Sequence, residues 1–202
     1  MKTRAFLFIF VLTIFVGIQL NPAAAEDTYR KVDGRAAISS WFTESGIVTG
    51  FGTGSTSEGQ YQPILLAWHL AADLKKYWKP LEGHQGILSF VLEPQINPSF
   101  GPSTDIEFGV GVGIKYMYPV TGRISPYVLG SVGPHFITVQ DRDQANGFIF
   151  ASTVGAGIYY YLDKKSAINL GYRLRHMSNA GLKSPNSGIN NHFGTIGYSV
   201  FF

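Results

Sequence analysis

The fold is decided by the stretch Asp105–Tyr118, which reads DIEFGVGVGIKYMY. Its even-numbered positions are apolar or aromatic, whereas its odd-numbered positions are mostly glycine or charged. Because successive side chains of a β-strand point to opposite faces, this alternation predicts a strand with one apolar face and one face of small or charged residues. A membrane β-barrel would turn the apolar face to lipid and the face of small and charged residues to its lumen. A soluble sandwich would bury the apolar face against a second sheet.

Eight segments of this kind, some with weaker alternation, divide the chain. The sequence predicts strands near 35–50, 60–72, 85–96, 105–118, 123–139, 147–162, 166–178 and 190–202. Tight turns alternate with longer polar loops, which are predicted at Gly52–Gly59, Asn97–Thr104, Gln140–Asn146 and Asn179–Ile189. Short turns at one rim and longer loops at the other are typical of outer-membrane barrels. We therefore predict an all-β protein, an eight-stranded antiparallel transmembrane β-barrel; a soluble barrel of the lipocalin type is the rival interpretation.

The N-terminal segment has the features of a secretory signal peptide. Lys2 and Arg4 precede a long apolar run, and Ala23–Ala25 offers small residues for cleavage. A retained membrane helix is the alternative, but the apolar run is short for a span of ~20 residues. The sequence therefore predicts a signal peptide over 1–25 and an outer-membrane β-barrel over 26–202.

Charge and cysteine content exclude several functions. The formal net charge is +3, and two of the basic residues belong to the predicted signal peptide, so the remainder is nearly neutral. A nucleic-acid-binding face needs a basic excess, which is missing here. The chain contains no Cys, so disulfide and thiolate chemistry are excluded.

The last segment ends in Phe202, and a C-terminal Phe resembles the signal for insertion into the bacterial outer membrane.

The seventh predicted strand, Ser166–Ser178, presents two different faces. Its odd positions include arginines that the alternation directs into the lumen. There, Arg173, Arg175, Glu107 and Lys115 are predicted to form charge pairs.

His176 and Ser178 lie on the outward face of the same strand, at its end nearest the long loops. Polar groups that face hydrocarbon are costly unless they are satisfied, so packing gives no reason for this pair. Residues two apart on a strand are ~7 Å apart at Cα, and their side chains can lean together. A neutral imidazole could then take the serine proton, as acyl transfer requires. The alternative is a polar strand end at the headgroup level, and the alternation leaves both interpretations open.

A longer motif contains this pair. His176-Met-Ser-Asn-Ala-Gly-Leu-Lys183, followed by Pro185-Asn-Ser-Gly-Ile189, closely resembles the core motif of the lipid A 3-O-deacylase family. The resemblance implies an eight-stranded outer-membrane barrel that removes an ester-linked acyl chain from lipid A (lipopolysaccharide) in the outer leaflet. It also implies that His176 is the general base, that Ser178 is the nucleophile, and that no cofactor takes part.

Asn190 departs from the family pattern. Family members place a Glu at this position, where it orients the histidine, and a carboxylate stabilises the imidazolium that forms during attack. An Asn can hold the ring only by hydrogen bonding, as in Cys-His-Asn enzymes. Asn190 shares the outward face of the eighth strand with His192, which could be the orienting residue instead. Asp141 or Asp143, in another loop, are the candidates for a substitute acid.

The loop after Ser178 offers hydrogen-bond donors for an oxyanion. Asn179 and Gly181 could supply backbone N–H groups, and Asn186 could supply a side-chain amide. Asn179 could equally shape the turn. Lys183 could meet a phosphate of lipid A, or it could be a solvated loop lysine.

Two functions remain in competition. One is the lipid A esterase, and the other is a non-catalytic small outer-membrane barrel with a structural or adhesive role. The His residues show no metal-ligand spacing, so no metal site is predicted. The sequence leaves open whether the barrel forms a homodimer.

Overall fold

The chain forms a closed antiparallel β-barrel in the computed structural model, which describes residues 41–81, 83–118 and 122–202. Each strand pairs with the next along the chain, and the first pairs with the last. The strands are β1 (Glu44–Thr56), β2 (Gly59–Asp73), β3 (Ile87–Phe100), β4 (Asp105–Met117), β5 (Ile124–Ile137), β6 (Gly147–Tyr161), β7 (Ser166–Ser178) and β8 (Ile189–Phe201). The predicted eight-stranded barrel is therefore confirmed. The predicted signal peptide, 1–25, and the predicted start of the first strand, 35–40, lie outside the described residues.

The alternation of each strand separates a lipid-facing surface from a filled lumen. On β4, Phe108 and Ile114 are about half exposed, whereas Glu107 and Lys115 on the other face are buried. Large exposed apolar side chains occur on all eight strands. A closed sheet leaves no unpaired strand edge, and an apolar outer surface with a polar interior suits a bilayer.

Ion pairs lie in the lumen together with clusters of buried apolar side chains. Arg175 Nη2 lies 2.7 Å from a carboxylate oxygen of Glu107, which confirms a predicted pair. Arg173 donates two hydrogen bonds to Glu93, at 2.8 and 3.0 Å. Lys115 pairs with Glu44, a residue that the sequence analysis did not assign. The interior of this barrel is thus held by buried charges that compensate one another.

Two of the predicted long loops are shorter than predicted. β1 and β2 continue through the region 52–59 and leave a turn of only two residues, Ser57 and Glu58. β3 likewise continues to Phe100, with Asn97 fully buried inside the barrel. In β3 the polar residues Asn97 and Ser99 are inward side chains of the lumen. In β1 the inward positions are Gly52 and Gly54, which leave room for Phe193 and Asn191, and the polar residues between them face outward. Polarity or glycine content there does not mark a loop.

One rim of the barrel, here called the loop rim, carries the connections 57–58, 101–104, 138–146 and 179–188. The opposite rim carries 74–86, 118–123 and 162–165. The first of these connections contains two single turns of 3-10 helix, Leu74–Lys76 and Lys79–Leu81. In the described ranges, no helix has the length and hydropathy needed to cross a bilayer.

Candidate active site

His176 and Ser178 end β7 at the loop rim, on the outer surface of the barrel. His176 is exposed and Ser178 is half-buried. Arg175, which precedes them, and Met177, which lies between them, point inward and are buried. The orientation predicted from the alternation is therefore confirmed. The two polar side chains therefore stand on the outer surface, where a lipid beside the barrel could reach them.

The imidazole of His176 is held by Asn190. The two residues are directly opposite each other in the β7–β8 ladder. His176 Nδ1 lies 2.8 Å from Asn190 Oδ1. Because an amide oxygen can only accept a hydrogen bond, Nδ1 carries the proton in this arrangement. The other ring nitrogen, Nε2, is then a free acceptor, which is the form that a general base needs.

The alternative partners of the histidine lie elsewhere. His192 is opposite Leu174, and its Nδ1 lies 2.5 Å from the hydroxyl of Tyr172. Asp141 accepts hydrogen bonds from two backbone N–H groups of its own loop. Asp143 accepts one from the backbone of Ser57, across the loop rim. Among the described residues, none of these side chains makes a hydrogen bond with His176, and Asn190 does.

Ser178 is near the base but is not hydrogen-bonded to it. Within the described part of the chain, no hydrogen bond joins Ser178 to His176. Residues two apart on a strand are ~7 Å apart at Cα, so a change of side-chain rotamer decides whether they meet. Such bonds are often long in a free enzyme and tighten when the substrate binds.

The segment after Ser178 is a tight turn shaped by Asn179. Ala180 and Gly181 both have positive φ, at 55° and 83°, and Leu182 N–H donates to the Asn179 carbonyl at 3.0 Å. The Asn179 side chain accepts from Gly181 N–H at 3.0 Å. This agrees with the turn-shaping role considered for Asn179. It also means that the Gly181 N–H already has a partner inside the turn.

Asn186 closes the loop onto its own beginning. Its Oδ1 accepts from Asn179 N–H at 2.8 Å, which occupies the second backbone donor considered above. Because a backbone N–H only donates, the contact also fixes which end of the amide is oxygen. The Asn186 NH₂ group is then left as the donor. Lys183, in the same loop, donates to Asn146 Oδ1 at 2.7 Å.

Gly188 is a site residue that the sequence analysis did not single out. Its φ is +81°, and a Cβ placed there would lie 2.7 Å from Cε1 and 3.3 Å from Nε2 of His176. Only glycine therefore allows the backbone to pack against this edge of the imidazole. Its position just before β8 is the signal that could have identified it.

The neighbouring loop, 138–146, supports the motif loop, 179–188. Ala145 N–H donates to the Pro185 carbonyl at 2.9 Å, and Ser187 N–H donates to the Asp143 carbonyl at 2.7 Å. Gln144 and Asn186 also form an isolated β-bridge. Both segments are irregular, so no periodicity in the sequence predicts these contacts.

The closed eight-stranded barrel, with a greasy outer surface and a filled polar lumen, defines an outer-membrane β-barrel protein of bacteria. A family model described as "Lipid A 3-O-deacylase (PagL)" matches residues 64–199, and the chain belongs to this family. No curated protein matches the chain.

Two solved structures share the fold. Neisserial surface protein A is 13% identical, with a TM-score of 0.61, over 79% of this chain and 96% of that one. The outer membrane enzyme PagL is 19% identical, with a TM-score of 0.54, over 79% of this chain and 99% of that one. At these identities the likeness concerns the fold alone.

Proposed function

We propose that the protein is an outer-membrane serine esterase that removes the 3-O-linked acyl chain of lipid A. The observation that carries this proposal is the outward His176, whose Nδ1 is held by Asn190 beside Ser178 at the loop rim. The proposed reaction requires this rim to lie at the outer leaflet, so that the pair faces the ester groups of an outer-leaflet lipid. Membership of the lipid A 3-O-deacylase family supplies the substrate class.

In the first half of the proposed reaction, Ser178 Oγ attacks the ester carbonyl of the acyl chain, and its proton passes to His176 Nε2. The carbonyl oxygen becomes an oxyanion. When the tetrahedral intermediate collapses, the bond between the carbonyl carbon and the sugar oxygen breaks. The departing sugar oxygen takes the proton from the imidazolium, and the acyl chain remains on Ser178.

In the second half, water attacks the acyl-serine ester while His176 Nε2 takes its proton. The carbonyl carbon then separates from Ser178 Oγ, which recovers the proton from the imidazolium. A free fatty acid leaves, and the enzyme returns to its starting state. The imidazole acts as base and then as acid in each half, so its tautomer must be the one that Asn190 favours.

The NH₂ group of Asn186 is the side-chain donor that we assign to the oxyanion. The backbone N–H groups of Asn179 and Gly181 have partners inside the loop. Their contribution is therefore to place Asn186. Lys183 is proposed to meet a phosphate of the substrate, since ammonium groups bind phosphates as point charges.

A second candidate function is a non-catalytic outer-membrane barrel with a structural or adhesive role. The observation that favours it is Asn190 itself, because an amide lacks the charge that stabilises an imidazolium. A barrel that has lost the Glu expected at this position could keep its fold and its motif loop unchanged.

The two functions are separated by mass spectrometry of lipid A from cells that produce the protein, its Ser178→Ala variant or an empty vector. We expect the wild type alone to remove one acyl chain. Identical lipid A in all three strains, with equal amounts of folded protein in the membrane, would favour the non-catalytic barrel.

A further inference from the structure

A cleft of about 410 Å³ opens at the loop rim on the side of β5 and β6. Aromatic rings from these two strands form its apolar wall, the motif loop forms the opposite wall, and polar groups stand at its edge. Its main lining residues are Phe136, Thr138, Asn146, Phe148, Leu182 and Lys183.

Phe150 links Ser178 to the cleft. In the β6–β7 ladder, Ser178 lies opposite Phe150. The Phe150 ring meets the Phe148 ring edge-on, with centroids 5.0 Å apart, and Phe148 lines the cleft. His176 is held on the other side of β7, because Asn190 belongs to β8. The cleft therefore lies on the β6 side of Ser178, and the residue that holds the base lies on the β8 side.

The cleft wall is held in place by contacts within the protein. Lys183 Nζ donates to Asn146 Oδ1 at 2.7 Å, across the cleft edge. Ala145 N–H donates to the Pro185 carbonyl at 2.9 Å and joins the same two loops. A wall that is ordered before binding lowers the entropic cost of binding a ligand.

The chemistry of the lining indicates an anionic amphiphile. Leu182 is 71% exposed and lines the cleft, so its apolar side chain stands uncovered across from the aromatic wall. The hydrogen-bond partner of Lys183 is a neutral amide, and no carboxylate among the described residues forms an ion pair with it. An apolar wall beside an uncompensated ammonium group complements an acyl chain attached to a phosphorylated headgroup.

We propose that this cleft is a substrate subsite that holds the phosphorylated, acylated sugar of lipid A while Ser178 attacks the ester. Lys183 meets a phosphate, and Leu182 and Phe148 contact an acyl chain that stays on the sugar. The proposal rests on the proposed function, and it assigns the part of the substrate that is retained to the β5–β6 side of the serine.

The test compares phosphorylated lipid A with the same lipid after removal of its phosphates, using the full chain refolded in detergent. The readout is the ratio of kcat/KM for the two lipids. We expect the wild type to prefer the phosphorylated lipid by about tenfold, as a charge-assisted contact would give. Lys183→Met should bring this ratio close to one. Lys164 is an exposed lysine at the opposite rim, and Lys164→Met should leave the ratio as in the wild type.

A second measurement, the KM for each lipid, tests the apolar wall of the cleft. Leu182→Ser should raise KM for both lipids and leave their ratio unchanged, whereas Leu162→Ser, at the opposite rim, should do neither. A ratio that Lys183→Met does not alter, or a KM that Leu182→Ser does not alter, would overturn the subsite. If Ser178→Ala is as active as the wild type, the proposed function itself fails, and this outcome is distinct from failure of the subsite.

Discussion

Asn190 holds the imidazole of His176 at a position where we expected a Glu. Replacing it with Glu should place a carboxylate beside His176 Nδ1 and raise kcat by about tenfold or more, because the carboxylate of a triad stabilises the imidazolium. Asn190→Ala should lower kcat, since the ring loses its hydrogen bond. The measurement is the rate of acyl release from lipid A.

His192 provides the matched control for this prediction. It also faces outward on β8, but its contact is with Tyr172. His192→Gln should therefore leave kcat unchanged. A Glu at position 190 that gives no gain, together with a His192→Gln variant that loses activity, would identify His192 as the orienting residue.

Asn186 is predicted to stabilise the oxyanion through its NH₂ group. Asn186→Asp keeps the oxygen that accepts from Asn179 N–H and removes the donor. Loss of one such donor lowers kcat by about 10²–10³-fold. Asn186→Ala removes the loop contact as well, so it should also raise amide exchange in 179–188. An Asn186→Asp variant with normal kcat would exclude the residue from the oxyanion site.

The sequence could predict which side chains share a face, since strand periodicity is fixed at two residues. His176, Ser178 and Asn190 were placed on the outer surface for this reason. It could not predict that Gly188 packs against the imidazole, because that contact depends on the path of an irregular loop. The tautomer of His176 likewise depends on the register between β7 and β8, which periodicity alone does not give.

The loop 138–146 is the element that supports the motif loop. Asp141 Oδ1 accepts from the backbone N–H groups of Asp143 and Gln144 and so folds this loop. Asp141→Ala removes two hydrogen bonds of about 1 kcal/mol each. We expect amide exchange in 179–188 to rise by about tenfold or more, and the deacylation rate to fall, while the barrel stays folded.

Asp163 offers a control of the same kind at the opposite rim. Its carboxylate accepts from Lys165 N–H at 2.7 Å and from the Ser166 hydroxyl at 2.8 Å. Asp163→Ala should loosen its own turn and leave 179–188 unaffected. Equal effects of the two variants on exchange in 179–188 would show that the loop contacts do not stabilise the motif loop.

The strand ends were the least predictable elements. The polar segments 52–59 and 97–104 were expected to be loops, because polarity between apolar runs usually marks a connection. In β3 this polarity belongs to the lumen, where Asn97 and Ser99 are fully buried, whereas in β1 the inward positions are Gly52 and Gly54. A sequence pattern alone does not separate a polar interior from a polar exterior.

At the scale of the whole molecule, stability depends on the buried charges of the lumen. Glu93 accepts two hydrogen bonds from Arg173 and contacts His69 at 2.7 Å. Glu93→Gln should lower the free energy of unfolding by about 3 kcal/mol, because it leaves a buried guanidinium without its counter-charge. Urea titration of the barrel in detergent micelles, followed by Trp fluorescence, measures this change.

Glu58 supplies the comparison for the buried pair. It pairs with Arg142 at the loop rim, where the Arg142 side chain is 84% exposed. Glu58→Gln should cost less than about 1 kcal/mol. A Glu93→Gln variant as stable as Glu58→Gln would mean that the lumen charges do not hold the barrel together.

The proposed function depends on the claim that Ser178 is the nucleophile of a lipid A deacylase. Its most direct test is the mass of purified lipid A after incubation with the purified full chain and with its Ser178→Ala variant, both refolded to the same extent. We predict that the wild type removes one acyl chain from lipid A and that the variant removes none. Lipid A that stays intact with the wild type, or that loses the same chain with the variant, would contradict the claim.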